Sequence, residues 1–247
     1  MLQSRVIPFL LLRNKGLVKT VKFGDDKYIG DPQNAIRIFN EKEVDELCFL
    51  DIDASVKGVE PDYEMIAKAA DECRMPLTYG GGVTSADQAE RILRLGVEKV
   101  AVSTAAVRRP RLITEIAERI GAQSVAVVLD VRRRRLQRNR YELALANGKD
   151  RLGLDPVAFA EEAVRLGAGE IVVNSIDLDG TMEGYDLGLA RSVRAAVDTP
   201  MTVVGGAGTL DDVAELIDAI GPVGAGAGSL FVYKGVYKAV LINYAKP

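Results

Sequence analysis

The sequence contains no histidine. That absence excludes Ser–His–Asp and Cys–His nucleophilic chemistry, and it leaves the usual zinc sites without their commonest ligand. Proton transfer near neutral pH must then fall to Asp, Glu, Lys, Tyr or Cys. Cysteine is almost as scarce: Cys48 and Cys73 alone do not make a disulfide scaffold, and they fit a reducing, cytoplasmic compartment. No apolar run approaches the ~20 residues of a membrane span. The run VIPFLLL near the N-terminus meets Arg13, Asn14 and Lys15 with no small-residue cleavage site, so it reads as a strand. A net charge of -3 gives no electrostatic reason to expect nucleic acid or an anionic membrane as partner.

What is present is alternation. Short β-rich runs, VIPFLLL, ELCFLDI, PLTYG, KVAVS, SVAVVLDV, EIVVNSI, MTVVG and VGAGA, are separated by amphipathic stretches such as SADQAERILRLG and DPVAFAEEAVRLG. Several of these stretches end in Gly, as helix C-termini prefer. Eight strand–helix units in a chain of this length predict one (βα)8 barrel domain over residues 1–247, with a doubly wound open sheet as the structural alternative. The segment MPLTYGGGVTSADQ (75–88) resembles TPMTVVGGAGTLDD (199–212), and FLDIDAS (49–55) matches VNSIDLD (173–179) at the same displacement. Two similar half-barrels are therefore expected.

In such a barrel, functional residues gather where strands end and loops begin. GGGV after the third strand and VGGAG after the seventh fall there, with VSTAAV (102–107) and GAGS (226–229) following the fourth and eighth. Glycines admit a ligand close to the backbone, and helix N-termini offer free N–H donors to anions. Two symmetric phosphate sites, or merely tight turns, would both use these residues. Asp130 shares the parity of Ala126 and Val128 and should point inward near the mouth. It reads either as a general base or as an acid that caps a loop or pairs within Arg132–Arg135; that basic run itself reads as a solvated loop. Asp51, Asp53, Asp177 and Asp179 read as loop- or hydroxyl-orienting acids, and no metal or cofactor is expected. At the opposite end, Arg5, Glu46, Lys99 and Glu170 stand at the starts of strands one, two, four and six. They read as a ring of charge across the bottom or as solvent-facing residues.

Taken with LVK (17–19), FLDI (49–52), GGGV, STAAV, GAGEI (167–171), SIDLDGTMEGYD (175–186) and GGAG, the chain resembles the cyclase subunit of imidazole glycerol phosphate synthase, the HisF family, along essentially its whole length. The resemblance implies a barrel docked by its bottom on a HisH-like glutaminase, whose ammonia crosses the barrel to a substrate with two phosphates. It implies that Gly82, Ser103 and Thr104 line one phosphate site and that Gly180, Gly206, Gly228 and Ser229 line the other. Lys19 would lie on a first loop that closes over the substrate. Arg5, Glu46, Lys99 and Glu170 would form the ammonia gate, and Asp130 would be the general base. The family's general acid falls on Leu11, which cannot donate a proton, and Ser103, Val204 and Asn174 also depart from the family pattern. The chain is therefore most similar to a diverged branch associated with surface-polysaccharide synthesis, in which the ammonia goes to a sugar amidotransferase that makes acetamidino sugars. The alternatives are a working cyclase of histidine biosynthesis, the related sugar-isomerising barrel, and a non-enzymatic interaction barrel.

Overall fold

The computed structural model describes residues 3–134, 140–235 and 237–244. Eight parallel strands carry the fold: β1 (Arg5–Arg13), β2 (Leu47–Asp51), β3 (Leu77–Gly80), β4 (Lys99–Val102), β5 (Val125–Arg133), β6 (Glu170–Ser175), β7 (Met201–Val204) and β8 (Gly224–Ala227). Each pairs with the next in order, and β8 returns to β1 with Gly224 beside Arg5 and Gly226 beside Ile7. The ring is closed. It is the (βα)8 barrel expected from the sequence, and closure rules out the open sheet.

Alternation along each strand decides which side chains fill the barrel. Ile7 and Phe9 of β1 point inward and pack with Cys48, Ala101, Ala126, Val128 and Val172. Val6, Leu10 and Leu12 point outward into the layer shared with the helices. The inward set includes both Ala126 and Val128, so the parity argument for Asp130 holds.

Among the described residues, seven helices of eight residues or more cover the outside: α1 (Pro32–Lys42), α2 (Tyr63–Glu72), α3 (Ala86–Arg94), α4 (Arg111–Ile120), α5 (Pro156–Arg165), α6 (Leu187–Arg194) and α7 (Leu210–Ile220). Each buries one stripe, such as Leu112, Ile113 and Ile116 in α4. Side chains of Asp31, Ser85, Asp155, Asp186 and Thr209 accept first-turn N–H groups of their helices, supplying partners that the helix itself cannot.

The structure adds elements absent from the sequence reading. Helix α1 is one; its cap Asp31 and first-turn Pro32 are a legible start signal. The first loop is an antiparallel ribbon, Gly16–Thr20 pairing with β1 and Asp26–Gly30 pairing with Gly16–Thr20. The fifth loop repeats this device, with Tyr141–Leu145 antiparallel to the end of β5. Arg132 and Arg133 are thus strand residues opposite Glu142 and Tyr141, where a solvated loop was expected. Arg135 lies outside the described residues.

Gly206 shows how tightly the loops meet. Its φ is +109°, and a Cβ there would collide with the Gly184 carbonyl oxygen, while Gly206 O accepts the Gly184 N–H at 2.9 Å. Gly58 also has a positive φ, +63°, but open space around it. Gly206→Ala is expected to cost several kcal/mol, about 4 or more, and Gly58→Ala only about 1–2 kcal/mol. Denaturant midpoints of the two variants check this, and equal losses would refute it.

Candidate functional site

The four strand-start charges do not face solvent separately. Arg5 pairs with Glu46 and, at 3.1 Å, with Glu170; Lys99 pairs with Glu46 at 3.3 Å and Glu170 at 2.8 Å. Every cation touches both acids, so the charges alternate around a closed ring across the barrel bottom. Thr202, which the sequence reading missed, donates its hydroxyl to Glu170 Oε1 at 2.6 Å. Gly224 makes room for it, since a Cβ there would strike Thr202 Oγ1. Burial alone would raise the Glu170 pKa, yet Lys99 and Arg5 together hold it below the ordinary carboxylate value.

Directly above the ring lies a cavity of about 10 Å³, lined by Glu46, Glu170, Thr202, Thr78 and Cys48 below and by Phe9, Val128 and Val172 above. One water-sized molecule needs about that much space. Phe9, Val128 and Val172 also line the upper cleft, so these side chains are the wall between the small cavity and the cleft.

The cleft has two lobes. One, of about 120 Å³, holds Asp130, Ser103, Thr104, Asn174, Asn147 and Arg13 over an apolar floor that includes Leu11, Leu50 and Val128. The other, of about 40 Å³, gathers Gly180, Gly206, Gly228 and Ser229 with Lys19 and Asp179. The strand register explains the contrast between the halves: Leu11 sits beside Leu50, whereas Asp130 sits beside Asn174. Asp130 Oδ1 accepts from Asn174 Nδ2 at 2.9 Å and Oδ2 from Ser103 Oγ at 3.0 Å. Burial pushes the Asp130 pKa up to about 6, against the two hydrogen bonds, and the Asp179 charge adds to the rise. Neither a loop cap nor a pairing with the arginine run accounts for it among the described residues. Arg133 pairs instead with Asp186 at 2.7 Å.

Structure sorts the remaining expected residues. Gly180, Gly206, Gly228 and Ser229 converge on one lobe, and the buried Ser229 hydroxyl has no partner among the described residues. Ser103 and Thr104 line the other lobe. Gly82 does not: its N–H is taken by Ser55 Oγ at 3.3 Å, and it faces an adjoining groove shared with Thr104. Lys19 is only 7% exposed, with Nζ on Asp179 Oδ1 at 2.6 Å and on the Thr20 carbonyl at 2.9 Å. Asp179 also accepts from Thr20 Oγ1 and the Phe23 N–H, so it latches the first ribbon to the sixth loop. Asp51 accepts the N–H groups of Asp53 and Ala54. Asp53 pairs with Arg13 and Lys57, and Asp177 accepts the Arg133 N–H. Among the described residues no three His, Cys, Asp or Glu side chains converge as a metal site, and no helix is long and apolar enough to cross a membrane.

Comparison with known proteins adds the lineage. The family described as histidine biosynthesis protein matches residues 5–238. The chain belongs to the HisF family. Across 247 residues, all of this chain and 95% of the other, it is 57% identical to a Vibrio vulnificus protein provisionally named imidazole glycerol phosphate synthase subunit hisF3. A Leptospira borgpetersenii relative, provisionally named as subunit HisF, is 54% identical over 99% of this chain and 96% of its own. Imidazole glycerol phosphate synthase subunit HisF of Streptomyces avermitilis is 44% identical over 85% of this chain and 83% of its own. Leu11, expected from the resemblance at the place of the family's general acid, lines the apolar floor of the lobe that also holds Asp130.

Two stability effects follow from the charges. Lys99→Met leaves Glu46 and Glu170 short of a cation and should cost about 2–4 kcal/mol, between a surface and a fully buried pair; an unchanged urea midpoint would contradict this. Because the Asp130 pKa is raised, its contribution favours the fold below about pH 4 and is lost as pH rises through about 6. Above that, the buried charge costs up to about 3 kcal/mol. Asp130→Asn should therefore exceed wild type in stability at pH 8, with the gap shrinking toward pH 4. A pH-independent gap would show that Asp130 carries no such penalty.

Proposed function

We propose that this HisF-family barrel takes ammonia from a HisH-like glutaminase docked on its bottom face, passes it through the ring and the small cavity above it, and releases it at the upper cleft. The acceptor is a nucleotide sugar held by a sugar amidotransferase, whose acetamido group becomes acetamidino during surface-polysaccharide synthesis. Arg5, Glu46, Lys99 and Glu170 are the gate in this reading, and the chemistry at the sugar belongs to the partner enzyme. The observation that carries it is the combination of an intact four-charge ring with Leu11 at the other end. A paired acid and base typically supply ~10²–10⁴-fold in rate, and losing one member of a cooperating pair can cost nearly as much as losing both.

A working cyclase is the second reading, and one observation favours it: Gly180, Gly206, Gly228 and Ser229 converge on a lobe that includes a buried hydroxyl without a partner among the described residues, as a phosphate cradle would. Lys19 would then act on bound substrate once released from Asp179.

The purified barrel, given the histidine-pathway ribotide and excess ammonium salt, should form no imidazole glycerol phosphate. Turnover in the usual enzymatic range, about 1–10³ per second, would make it a cyclase and overturn the conduit reading. In the complex with glutaminase and acceptor enzyme, Lys99→Met should suppress glutamine-driven transfer and spare transfer driven by ammonium salt. Equal loss of both would remove the gate from the scheme.

A further inference from the structure

Among the described residues, nine large apolar side chains are exposed, and their distribution is uneven. Val21 and Tyr28 are on the first loop, Val56 and Val59 on the second, and Leu152 and Leu154 on the fifth. The other three, Tyr237 among them, follow β8. None stands on α1 to α7 or at a strand start. The same four segments frame the cleft: Phe23, Ser55 and Asn147 bring the first, second and fifth loops to the larger lobe, and Gly228 and Ser229 bring the segment after β8 to the smaller one. Three hydrogen bonds between segments join them into one rim. Lys27 Nζ donates to the Lys238 carbonyl at 3.3 Å, Lys57 Nζ to Asn14 Oδ1 at 3.3 Å, and Asn147 Nδ2 to the Ile52 carbonyl at 2.8 Å. A single exposed Val or Leu is ordinary, but apolar side chains gathered on one face mark a contact surface. Tyr28 and Tyr237 are 66% and 95% exposed, and tyrosine is enriched at interface hot spots.

Charge is segregated in the same way. Residues 14–31, 52–62, 134–155 and 228–247 hold 14 Lys and Arg against 9 Asp and Glu, in a chain whose total charge is -3. Lys22, Lys149, Lys234 and Lys238 are exposed and form no ion pair among the described residues. Asp26, Asp53, Asp62 and Asp150, by contrast, are already in ion pairs. An apolar rim with spare cations fits a protein face that is apolar at its centre and acidic at its edge. A lipid surface fits less well. The chain has no Trp to seat among headgroups, a residue common on membrane-surface elements, and the exposed Asp25 and Glu60 would face anionic lipid.

We propose that this rim is the docking surface for a second protein, seated over the mouth of the cleft on Tyr28, Val59, Leu154 and Tyr237, with its carboxylates facing the free lysines. The surface follows from exposure and charge alone. That its occupant is the sugar amidotransferase rests on the conduit reading. Docking there closes the mouth of the cleft against water.

The test measures association of the sugar amidotransferase with the full-length barrel in its glutaminase complex, by biolayer interferometry at low and high salt. Tyr237→Asp and Leu154→Asp should each raise Kd about tenfold or more. Lys149→Glu combined with Lys238→Glu should slow association and flatten its salt dependence. Glu161→Lys, exposed on α5, should change neither. All of these side chains lie outside the core, so thermal midpoints should match wild type. Undiminished affinity in both Tyr237→Asp and Leu154→Asp would overturn the surface while leaving the conduit reading intact. No association of the wild-type complex would overturn the occupant, and the ribotide turnover assay then judges the conduit reading separately. Binding to phosphatidylglycerol vesicles, or self-association of the barrel, that the same variants abolish would overturn the proposal in favour of a membrane or a second copy.

Discussion

Eight parallel strands hydrogen-bonded into a ring leave every second side chain facing the axis, and that constraint organises the whole molecule. The interior leaves room for little beyond one small cavity, so residues in mid-strand are apolar and mutually fitted, as Ile7, Phe9, Ala126, Val128 and Val172 are. Polar groups can enter only at the two ends, where the next inward position along a strand reaches the rim. Arg5 and Glu170 at one end and Asp130 and Asn174 at the other are therefore products of the same alternation, read in opposite directions along the strands.

The two ends balance their charge differently. At the bottom, two cations and two acids neutralise one another within a single ring, and Thr202 supplies a further hydrogen bond to Glu170. Such a ring needs nothing from outside to be comfortable in a partly buried setting. At the top, Lys19 and Asp179 cancel, Arg13 is balanced by Asp26 and Asp53, and Asp130 remains over. Leu11, Leu50 and Val128 line the same lobe, so the Asp130 carboxylate shares it with a hydrocarbon surface.

Much of this was legible in the sequence. The eight β-rich runs, the capped amphipathic helices and the half-barrel repeat carry the fold, because alternation and helical period are both dictated by burial on one side. The ring at the bottom was legible as residue types at strand starts, though not as four mutual ion pairs, because pairing depends on side-chain reach across the axis. Other features had no local signal. The ribbon strand Asp26–Gly30 is mostly exposed and so lacks the alternation that marks a half-buried strand. Thr202 looks like an ordinary β-branched strand residue until Gly224 is placed beside it. The Asp179 latch joins residues 160 positions apart, a separation that spacing rules do not reach. Gly82 shows the reverse case: its motif was clear, yet Ser55 occupies the N–H that the motif advertises.

Val128 lines the lower cavity and both lobes of the cleft. Three compartments thus share one partition, and it is a single branched side chain on β5. In an interior packed like a crystal, volume at a shared wall cannot be altered for one room alone. The size of this residue is a common setting for all three compartments along the axis.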